Sequence, residues 1–463
     1  AYPTGSGWNR RKRPENVRRR TGTKNIFPHI LFYSGICGGI GLQVYKVQGL
    51  RPLRGKIKIQ GSKNAVLPMM AASLLTEGCT EIRNVPRISD VFLMAEIIRD
   101  LGCRVIFEDD VLMIDASGLS GTVIPKETVG KMRSSSLLLG PLLSRGGEVT
   151  TWYPGGCVIG KRPIDFHLDV LRAMGAEILD DGGMLIAKAE TFCGTTFRFP
   201  YPSVGATENA VMAAVLASGT TKLLNCAREP EIAELCGFLR SMGAKISGER
   251  TGTITVTGVE KLFPTNHVTA GDRICAGTYL AAAAASGGEI EITGVEPVVL
   301  VEPLKALRKM GAGLRIFGAA GPKARIRMVM ERRPAGITID TGPYPGFPTD
   351  LQSVFLAAEA SGTGESQIRE TVYEARFEAA VRLASFGADV SVHGDTAIIK
   401  GRYPLLPGVV ETPDLRGGAA LLVAALSADG LSVVSDRGHL KRGYEDIGRD
   451  LRILGADIEE NIL

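Results

Sequence analysis

The sequence has few aromatic residues, few histidines and no closely spaced cysteine pairs. Aromatic side chains make up 6% of the 463 residues, and histidine occurs five times. The eight cysteines lie at positions 37, 79, 103, 157, 193, 226, 236 and 275, without a C-x-x-C pair or a Cys/His cluster. This scatter argues against a zinc site and against a disulfide framework. We therefore expect no metal, and a reducing, cytoplasmic setting.

A large charge of one sign is also missing once the N-terminus is set apart. The formal net charge is +5, but residues 1–25 hold eight Lys/Arg and one acid, which gives +7. The rest of the chain therefore carries 5 − 7 = −2. This value does not indicate a nucleic-acid-binding surface, and we expect no nucleic-acid partner.

Residues 1–43 differ in composition from everything that follows. A basic run precedes an apolar stretch that is interrupted by Pro28 and by several glycines. A secretory signal is disfavoured, because no small-x-small cleavage site is evident and the glycines weaken a helix. We interpret residues 1–43 as an extension that is disordered or is not native, and we expect no membrane span.

One short pattern recurs six times after residue 44. Its glycines lie at positions 102, 175, 243, 311, 387 and 455, so the spacings are 73, 68, 68, 76 and 68 residues. Each copy is typical of a helix end, a glycine in a left-handed cap conformation and an alternating strand. The period predicts six α/β modules, grouped three to a domain. An open solenoid is the alternative, but solenoid periods are usually about 20–50 residues.

The stretch KIKIQGSKNAVLPMM (56–70) predicts a strand, a turn at Gly61 and Ser62, and a helix that starts near Asn64. Lys63 lies at this junction, where backbone N–H groups and the helix dipole attract an anion such as phosphate. The alternative is an ordinary surface lysine near a helix cap.

Arginines occur at comparable places, next to segments rich in glycine or serine: Arg133, Arg162, Arg416 and Arg442. A guanidinium group suits bidentate contact with carboxylate or phosphate. The set predicts a small, densely anionic substrate, although solvated arginines are common in any chain.

Cys157 lies in YPGGCVIGKRP (153–163), where glycines make the loop flexible. Lys161 and Arg162 would favour the thiolate, which suits a nucleophile or a proton donor. An inert buried cysteine is the alternative. Asp350, in YPGFPTDLQ, is either a helix-capping residue or a general base beside a cleft, and the residues alone leave both open.

Seven segments occur along the chain in the order GSKNAVLPMMAASLL, PGGCVIGKRPIDFH, SVGATEN, FPTDLQ, ETVYEARF, DLRGGAAL and KRGYE. Together they resemble the UDP-N-acetylglucosamine 1-carboxyvinyltransferase (enolpyruvyl transferase) family, from about residue 44 to the C-terminus. The resemblance implies an α/β fold, a two-domain inside-out α/β barrel built from six repeats, three per domain. It implies one domain at 63–270, which carries the cysteine loop, and another formed by 44–62 plus 271–463. The active site would lie in the cleft between them.

The resemblance also implies a reaction. The enolpyruvyl group of phosphoenolpyruvate would pass to the 3′-hydroxyl of UDP-N-acetylglucosamine, with release of phosphate, in the first committed step of peptidoglycan synthesis. No metal and no organic cofactor is implied. Cys157 matches the family's loop cysteine, which sits on a mobile lid and donates a proton to the methylene carbon of phosphoenolpyruvate. Fosfomycin, an epoxide mimic of phosphoenolpyruvate, is expected to alkylate this thiol.

Further site residues are implied at matched positions. Asp350 matches the residue near the sugar 3′-hydroxyl, as general base, and joins Cys157 and Lys63 as catalytic. The positions that match phosphoenolpyruvate contacts are Lys63, Asn64, Arg162, Arg416 and Arg442. The positions that match the nucleotide-sugar site are Arg133, Arg162, Pro163, Ile164, Asp165, Phe166, Ser203, Val204, Gly205, Asp350 and Val372. His167 is expected to support the loop rather than to catalyse.

Two positions depart from the family pattern. Ala375 stands where asparagine is usual, and Cys275 stands where glutamate is expected. A catalytically silent paralogue that binds a nucleotide sugar is therefore one alternative. Another is the sister transferase that acts on shikimate 3-phosphate, which the cysteine loop and GSKNA disfavour. The sequence leaves open whether the protein is a monomer or a weak homo-oligomer.

Overall fold

The computed structural model describes residues 41–155, 164–318, 320–321, 323–374 and 376–463. The chain from Gly41 to Leu463 forms one compact unit. The first strand begins at Gln43, the last residue of the stretch that we assigned to the extension. Several predicted features lie outside the described residues, namely the extension up to residue 40, Cys157, Lys161, Arg162, Pro163 and Ala375.

Within the described residues, 23 strands form six small sheets. The strands are β1 (Gln43–Gln48), β2 (Leu53–Lys58), β3 (Cys79–Arg83), β4 (Arg104–Glu108), β5 (Val111–Asp115), β6 (Glu148–Trp152), β7 (Glu177–Asp181), β8 (Met184–Lys188), β9 (Thr196–Arg198), β10 (Thr220–Leu224), β11 (Lys245–Ser247), β12 (Thr253–Thr257), β13 (Asn266–Val268), β14 (Gly288–Thr293), β15 (Gly313–Phe317), β16 (Arg325–Met330), β17 (Thr338–Asp340), β18 (Glu365–Arg369), β19 (Asp389–His393), β20 (Thr396–Lys400), β21 (Val409–Glu411), β22 (Leu431–Asp436) and β23 (Asp457–Ile462).

The same part of the chain contains 13 α-helices. They are α1 (Lys63–Ala72), α2 (Ser89–Asp100), α3 (Lys126–Val129), α4 (Leu139–Gly146), α5 (Asp165–Ala173), α6 (Val204–Ala214), α7 (Pro230–Ser241), α8 (Arg273–Ser286), α9 (Val301–Lys309), α10 (Gln352–Ala360), α11 (Glu378–Leu383), α12 (Leu415–Leu426) and α13 (Ile447–Ile453). None of these described helices combines the length and the hydropathy that a membrane crossing requires.

The six sheets share one pairing pattern. Their strand orders are β13-β3-β5-β4, β6-β8-β7, β9-β10-β12-β11, β2-β14-β16-β15, β17-β18-β20-β19 and β21-β22-β1-β23. In every four-stranded sheet the first strand of this order runs parallel to its neighbour and the other pairs are antiparallel. In the three-stranded sheet, Val123 makes an isolated parallel bridge to Thr150 at the same edge. We interpret the sheets as six copies of one unit.

The six recurring glycines all have positive φ, from 69° at Gly387 to 110° at Gly175. Each follows a helical turn, and in each case a strand begins two residues later, as β4 does after Gly102. Glycine suits this position because it has no Cβ to clash in the left-handed region. The predicted sequence of helix end, left-handed glycine and strand is therefore confirmed.

The buried apolar residues form two separate clusters. One extends from Ala65 to Leu262 and includes α1, α4 and α6. The other combines Tyr45–Ile59 with Ile274–Ile458 and includes α8, α10 and α12. Helices α8, α10 and α12 are buried on nearly all sides and are rich in alanine, so they pack closely behind the sheets. We call the two clusters the first core and the second core. They support the proposed domain boundaries, which remain a proposal.

The chain passes between the two cores twice, and the two crossings lie side by side. Gly61 forms an antiparallel bridge with Gly271. The N–H of Ser62 donates to the carbonyl of Ala270 at 2.8 Å. A Cβ on Gly61 would lie 1.7 Å from the carbonyl oxygen of Asn84, so this close approach requires glycine. Helices α1 and α8 both start directly after this ribbon, which brings their N-termini together.

Candidate active site

A buried carboxylate joins two cations next to the crossing. Lys63 is the first residue of α1, and its Nζ lies 2.6 Å from Oδ2 of Asp90, in the first turn of α2. Arg442 ends the 3₁₀ helix Leu440–Arg442, and its Nε donates to Oδ1 of Asp90 at 3.0 Å. Only 12% of the Lys63 side chain and 4% of the Asp90 side chain are exposed. The alternative of a surface lysine is therefore wrong, and Asp90 links the two cores.

The protonation of this cluster depends on the balance of its charges. Burial lowers the pKa of Lys63, and the attraction of Asp90 acts in the opposite direction. Burial raises the pKa of Asp90, but Lys63 and Arg442 outweigh it and leave the pKa below its usual value. Asp90 is therefore ionised, and it favours the ammonium form of Lys63.

A second carboxylate, which is partly buried, belongs to the second core. Asp350 lies in the 3₁₀ helix Thr349–Leu351, directly before α10. Nη2 of Arg376 donates to its Oδ1 at 2.6 Å, and Nη2 of Arg416 donates to its Oδ2 at 2.9 Å. Burial raises the pKa of Asp350, but Arg416 and Arg376 outweigh it and hold the pKa far below its usual range. Both carboxylate oxygens bind arginines, so the capping alternative is wrong.

Two helix caps position the cations of the site. Asp414 caps α12, where its Oδ1 accepts from the backbone N–H groups of Arg416 and Gly417. Asp272 caps α8, and its Oδ2 also accepts from the N–H of Lys63 at 3.2 Å. An aspartate at an N-cap fixes the first turn of a helix. The first cap therefore fixes the turn that carries Arg416, and the second holds Lys63, at the start of α1, against the start of α8.

The two clusters together have a positive charge. They contain four cations and two carboxylates, so their net charge is +2. The cations are Lys63, Arg376, Arg416 and Arg442, and the carboxylates are Asp90 and Asp350. Nη1 of Arg416 is buried and has no hydrogen-bond partner among the described residues. Unpaired donors in a positive field suit a small anion with several charges. Within the described ranges, no group of three or more His, Cys, Asp or Glu side chains is arranged to hold a metal ion.

The chain is similar to known proteins over most of its length. Residues 47–451 match the family described as EPSP synthase (3-phosphoshikimate 1-carboxyvinyltransferase). A UDP-N-acetylglucosamine 1-carboxyvinyltransferase of Sphingopyxis alaskensis is 43% identical over 422 residues, which cover 89% of this chain and 98% of that protein. UDP-N-acetylglucosamine 1-carboxyvinyltransferase 1 of Symbiobacterium thermophilum is 44% identical, over 89% of this chain and 94% of its own. The chain belongs to the UDP-N-acetylglucosamine 1-carboxyvinyltransferase family.

Solved structures agree with this family at the level of the fold. The enolpyruvyl transferase NikO from Streptomyces tendae aligns with a TM-score of 0.81 at 25% identity, over 91% of this chain and 100% of that one. An EPSP synthase from Acinetobacter baumannii aligns with a TM-score of 0.73 at 21% identity, with the same coverage. The enolpyruvyl transferase fold that the sequence predicted is therefore confirmed, as is the family.

Six of the positions that match the family's nucleotide-sugar site lie beside the first core, at the starts of two adjacent helices: Ile164, Asp165, Phe166, Ser203, Val204 and Gly205. Asp165 and Phe166 open α5, and Ser203 caps α6, where its Oγ accepts from the N–H of Ala206 at 3.4 Å. The ring of His167, in α5, packs closely against Gly205 at the start of α6. A Cβ on Gly205 would lie only 3.1 Å from a carbon of this ring.

His167 has the environment of a supporting residue. Its Nδ1 accepts from Nδ2 of Asn209 at 2.9 Å. Burial lowers its pKa to about 3, with a smaller contribution from Arg133. The ring is therefore neutral near pH 7 and braces the starts of α5 and α6, which agrees with the expected role.

The remaining predicted positions are spread around the two clusters. Asn64 follows Lys63 in α1, and Arg133 begins the 3₁₀ helix Arg133–Leu138. The N–H of Val372 donates to Oε1 of Glu370 at 2.9 Å, and Oε2 of Glu370 accepts from Thr349, beside Asp350. Cys157, Arg162 and Pro163 lie outside the described residues. The roles of all these residues stay predictions.

Three charged partners of the site were missed from the sequence. In the sequence, Asp90 has the pattern of an ordinary acidic residue in the first turn of a helix. Arg376 lies within ETVYEARF but was not singled out. The third is Glu231, which forms a buried pair with Arg273, where Nε donates to Oε1 at 2.9 Å across the two cores. A weak signal existed only for Arg376, whose segment matched the family.

Cys275, one of the two departures, is fully buried beside the site. Its Sγ donates to the carbonyl of Gly443 at 3.5 Å, directly after Arg442. Burial raises the pKa of this thiol well above its usual value, so it is protonated and neutral. A cysteine at position 275 is therefore compatible with the ion pair between Asp90 and Arg442, which the structure contains.

Proposed function

We propose that this protein transfers the enolpyruvyl group of phosphoenolpyruvate to the 3′-hydroxyl of UDP-N-acetylglucosamine and releases phosphate. The observation that carries the proposal is the largely buried, net positive pair of clusters around Asp90 and Asp350, in a chain of this family. The reaction would belong to peptidoglycan synthesis in the cytoplasm, with these two small molecules as the partners.

Phosphoenolpyruvate fits the site because both of its charged groups find cations there. Its phosphate would bind Lys63 and Arg442, where it takes the place of contacts now made by Asp90. Its carboxylate would bind Arg416, whose Nη1 has no hydrogen-bond partner among the described residues. The same cations stabilise negative charge on the leaving phosphate, because they are fixed in place before the reaction starts.

Asp350 is the proposed general base, and its arginines control when it can act. While Arg376 and Arg416 hold both of its oxygens, its pKa is far below the usual range and it is a poor base. A substrate carboxylate that competes for Arg416 would weaken this hold and raise the basicity of Asp350. The base would therefore become active mainly after phosphoenolpyruvate has bound.

The chemistry is an addition followed by an elimination. The 3′-oxygen of the sugar forms a bond to C2 of phosphoenolpyruvate, and its proton passes to Asp350. The methylene carbon, C3, receives a proton, which we assign to the thiol of Cys157 because its position matches the family's loop cysteine. The thiolate of Cys157 then takes back a proton from C3 as phosphate departs from C2, which restores the double bond and the thiol, and Asp350 passes its proton to the released phosphate. No external oxidant or reductant is needed.

The nucleotide sugar is proposed to bind against the first core. The starts of α5 and α6 supply Ile164, Asp165, Phe166, Ser203, Val204 and Gly205, and Arg133, Arg162, Pro163 and Val372 complete the set. The N-terminus of α6 favours negative charge, which suits a diphosphate. Asp350 would approach from the second core, so the acceptor hydroxyl lies between the two.

Product analysis tests this proposal. Purified protein is incubated with phosphoenolpyruvate and UDP-N-acetylglucosamine, and the nucleotide fraction is analysed by mass spectrometry. We expect a product heavier than the acceptor by one enolpyruvyl group, with one phosphate released per product. The matched control is the 3′-deoxy acceptor, which lacks the attacking oxygen. A product from the 3′-deoxy acceptor, or none from the natural one, contradicts the proposal.

A further inference from the structure

A large cavity lies at the end of the second core that faces away from the active site. Its volume is about 1050 Å³, and its walls include the starts of β2 and β14 and the C-terminal end of α8. Helix α8 begins at Arg273, beside the cap that binds Lys63, and ends at Ser286 in the cavity wall. Its 14 residues span about 20 Å at 1.5 Å per residue. The cavity is therefore separate from the active site.

The sheet that borders the cavity has a basic outer face. In the sheet β2-β14-β16-β15, six outward side chains are basic and two are acidic, so their net charge is +4. The basic side chains are Arg54, Lys56, Lys58, Arg315, Arg325 and Arg327, and the acidic ones are Glu289 and Glu291. In the sheet β17-β18-β20-β19, the corresponding net charge is −1. The basic side chains there are Arg369 and Lys400, and the acidic ones are Asp340, Glu365 and Asp389. The outer face of the sheet that borders the cavity is therefore positive, whereas that of the sheet β17-β18-β20-β19 is not.

Two arginines in the cavity wall are available to a ligand. Lys56 pairs with Glu291 at 3.2 Å, and Nε of Arg333 donates to the carbonyl of Ser361 at 3.0 Å. By contrast, Arg54 and Arg332 are exposed, and their side chains have no hydrogen-bond or ion-pair partner in the part of the chain that the structure describes. Their guanidinium groups can therefore bind an anion without breaking an existing pair.

We propose that this cavity binds a small polyanion, a molecule with at least two phosphate or carboxylate groups, through Arg54 and Arg332. The volume is typical of a small-molecule site. Because the surface is concave, a flat membrane or a rigid duplex would contact its rim rather than its wall. Arg333 lies over the ring of Tyr403 at 5.2 Å, which adds a cationic and aromatic wall for the rest of the ligand. The site is independent of the proposed reaction.

Calorimetric titration with inorganic tripolyphosphate at low ionic strength tests this assignment. Every titration uses the full chain with Lys63→Gln, so that anion binding at the active site is weakened. The cavity variant adds Arg54→Gln and Arg332→Gln. The matched control adds Lys58→Gln and Arg315→Gln, which remove the same charge from the same sheet face outside the cavity.

We expect the parent to bind tripolyphosphate, and the cavity variant to bind at least about tenfold more weakly than the control variant, because two charge-assisted contacts are lost. A smaller difference between the two variants, or no binding by the parent, overturns the proposal. The four side chains that distinguish the cavity variant and the control variant from the parent are exposed, and thermal unfolding followed by circular dichroism verifies that each variant is folded.

Discussion

Glu359 offers a pH-dependent test of the second core. It lies in α10, the helix that follows Asp350, and only 1% of the residue is exposed. Oγ of Ser366 donates to its Oε2 at 2.6 Å, whereas Oε1 is buried without a hydrogen-bond partner among the described residues. Burial raises the pKa of Glu359 from 4.5 to about 7. The folded protein therefore prefers the protonated acid.

The sign and size of the effect follow from this shift. Between pH 4.5 and about 7 the folded state binds more protons at Glu359 than the unfolded state does, so stability falls as the pH rises. The shift is about 2.5 pKa units, and at 1.36 kcal/mol per unit the full effect is about 3 kcal/mol. Most of it, roughly 2.5 kcal/mol, develops between pH 5 and pH 8.

Glu359→Gln stays neutral at every pH and keeps an oxygen for Ser366. We expect its free energy of unfolding, relative to the parent protein, to increase by roughly 2.5 kcal/mol between pH 5 and pH 8. Urea denaturation followed by circular dichroism at several pH values measures this. Glu365→Gln, at an exposed position of β18 in the same core, is the control. A difference between Glu359→Gln and the parent that is the same at pH 5 and pH 8 would refute the reasoning.

Three further predictions concern the site itself. Asp350→Asn should lower kcat by at least about a hundredfold because it removes the base, and a variant with the same turnover as the parent would exclude Asp350 as the base. The substitution should also leave Arg416 without a charged partner, so that phosphate raises the melting temperature of the variant more than that of the parent. Fosfomycin should alkylate Cys157 and leave the buried, protonated Cys275 unmodified, which intact mass and peptide mapping can verify. Labelling of other residues with Cys157 unmodified would contradict the role assigned to Cys157. The ring of His167, neutral near pH 7, should show no NMR titration between pH 5 and pH 8, and a titration in that range would contradict its buried position.

The features that could be predicted from the sequence are the local ones. The glycines of the six repeats were identified because a helix end, a left-handed glycine and a strand occupy neighbouring positions in the chain. Lys63 was identified because a strand, a turn and a helix start follow one another within KIKIQGSKNA. The family resemblance rested on seven such short segments. In each case the physical cause lies within a few residues of its effect.

The features that could not be predicted are pairs between distant parts of the chain. Asp90 and Arg442 are separated by 352 residues, and Glu231 and Arg273 belong to different cores. A carboxylate near a helix start looks like a cap until its partner is known, which is why Asp90 was overlooked and Asp350 stayed ambiguous. The crossing of the chain at Gly61 and Gly271 and the bond from Arg87 to Glu445 bring these distant segments together.

The measurement that tests the central claim most directly is phosphate release from phosphoenolpyruvate with three different acceptor conditions. The purified chain is assayed with UDP-N-acetylglucosamine, with shikimate 3-phosphate and with no acceptor. We expect release only with UDP-N-acetylglucosamine. Release with shikimate 3-phosphate would assign the protein to the sister reaction, and no release under any condition would contradict the claim that this positive site is catalytic.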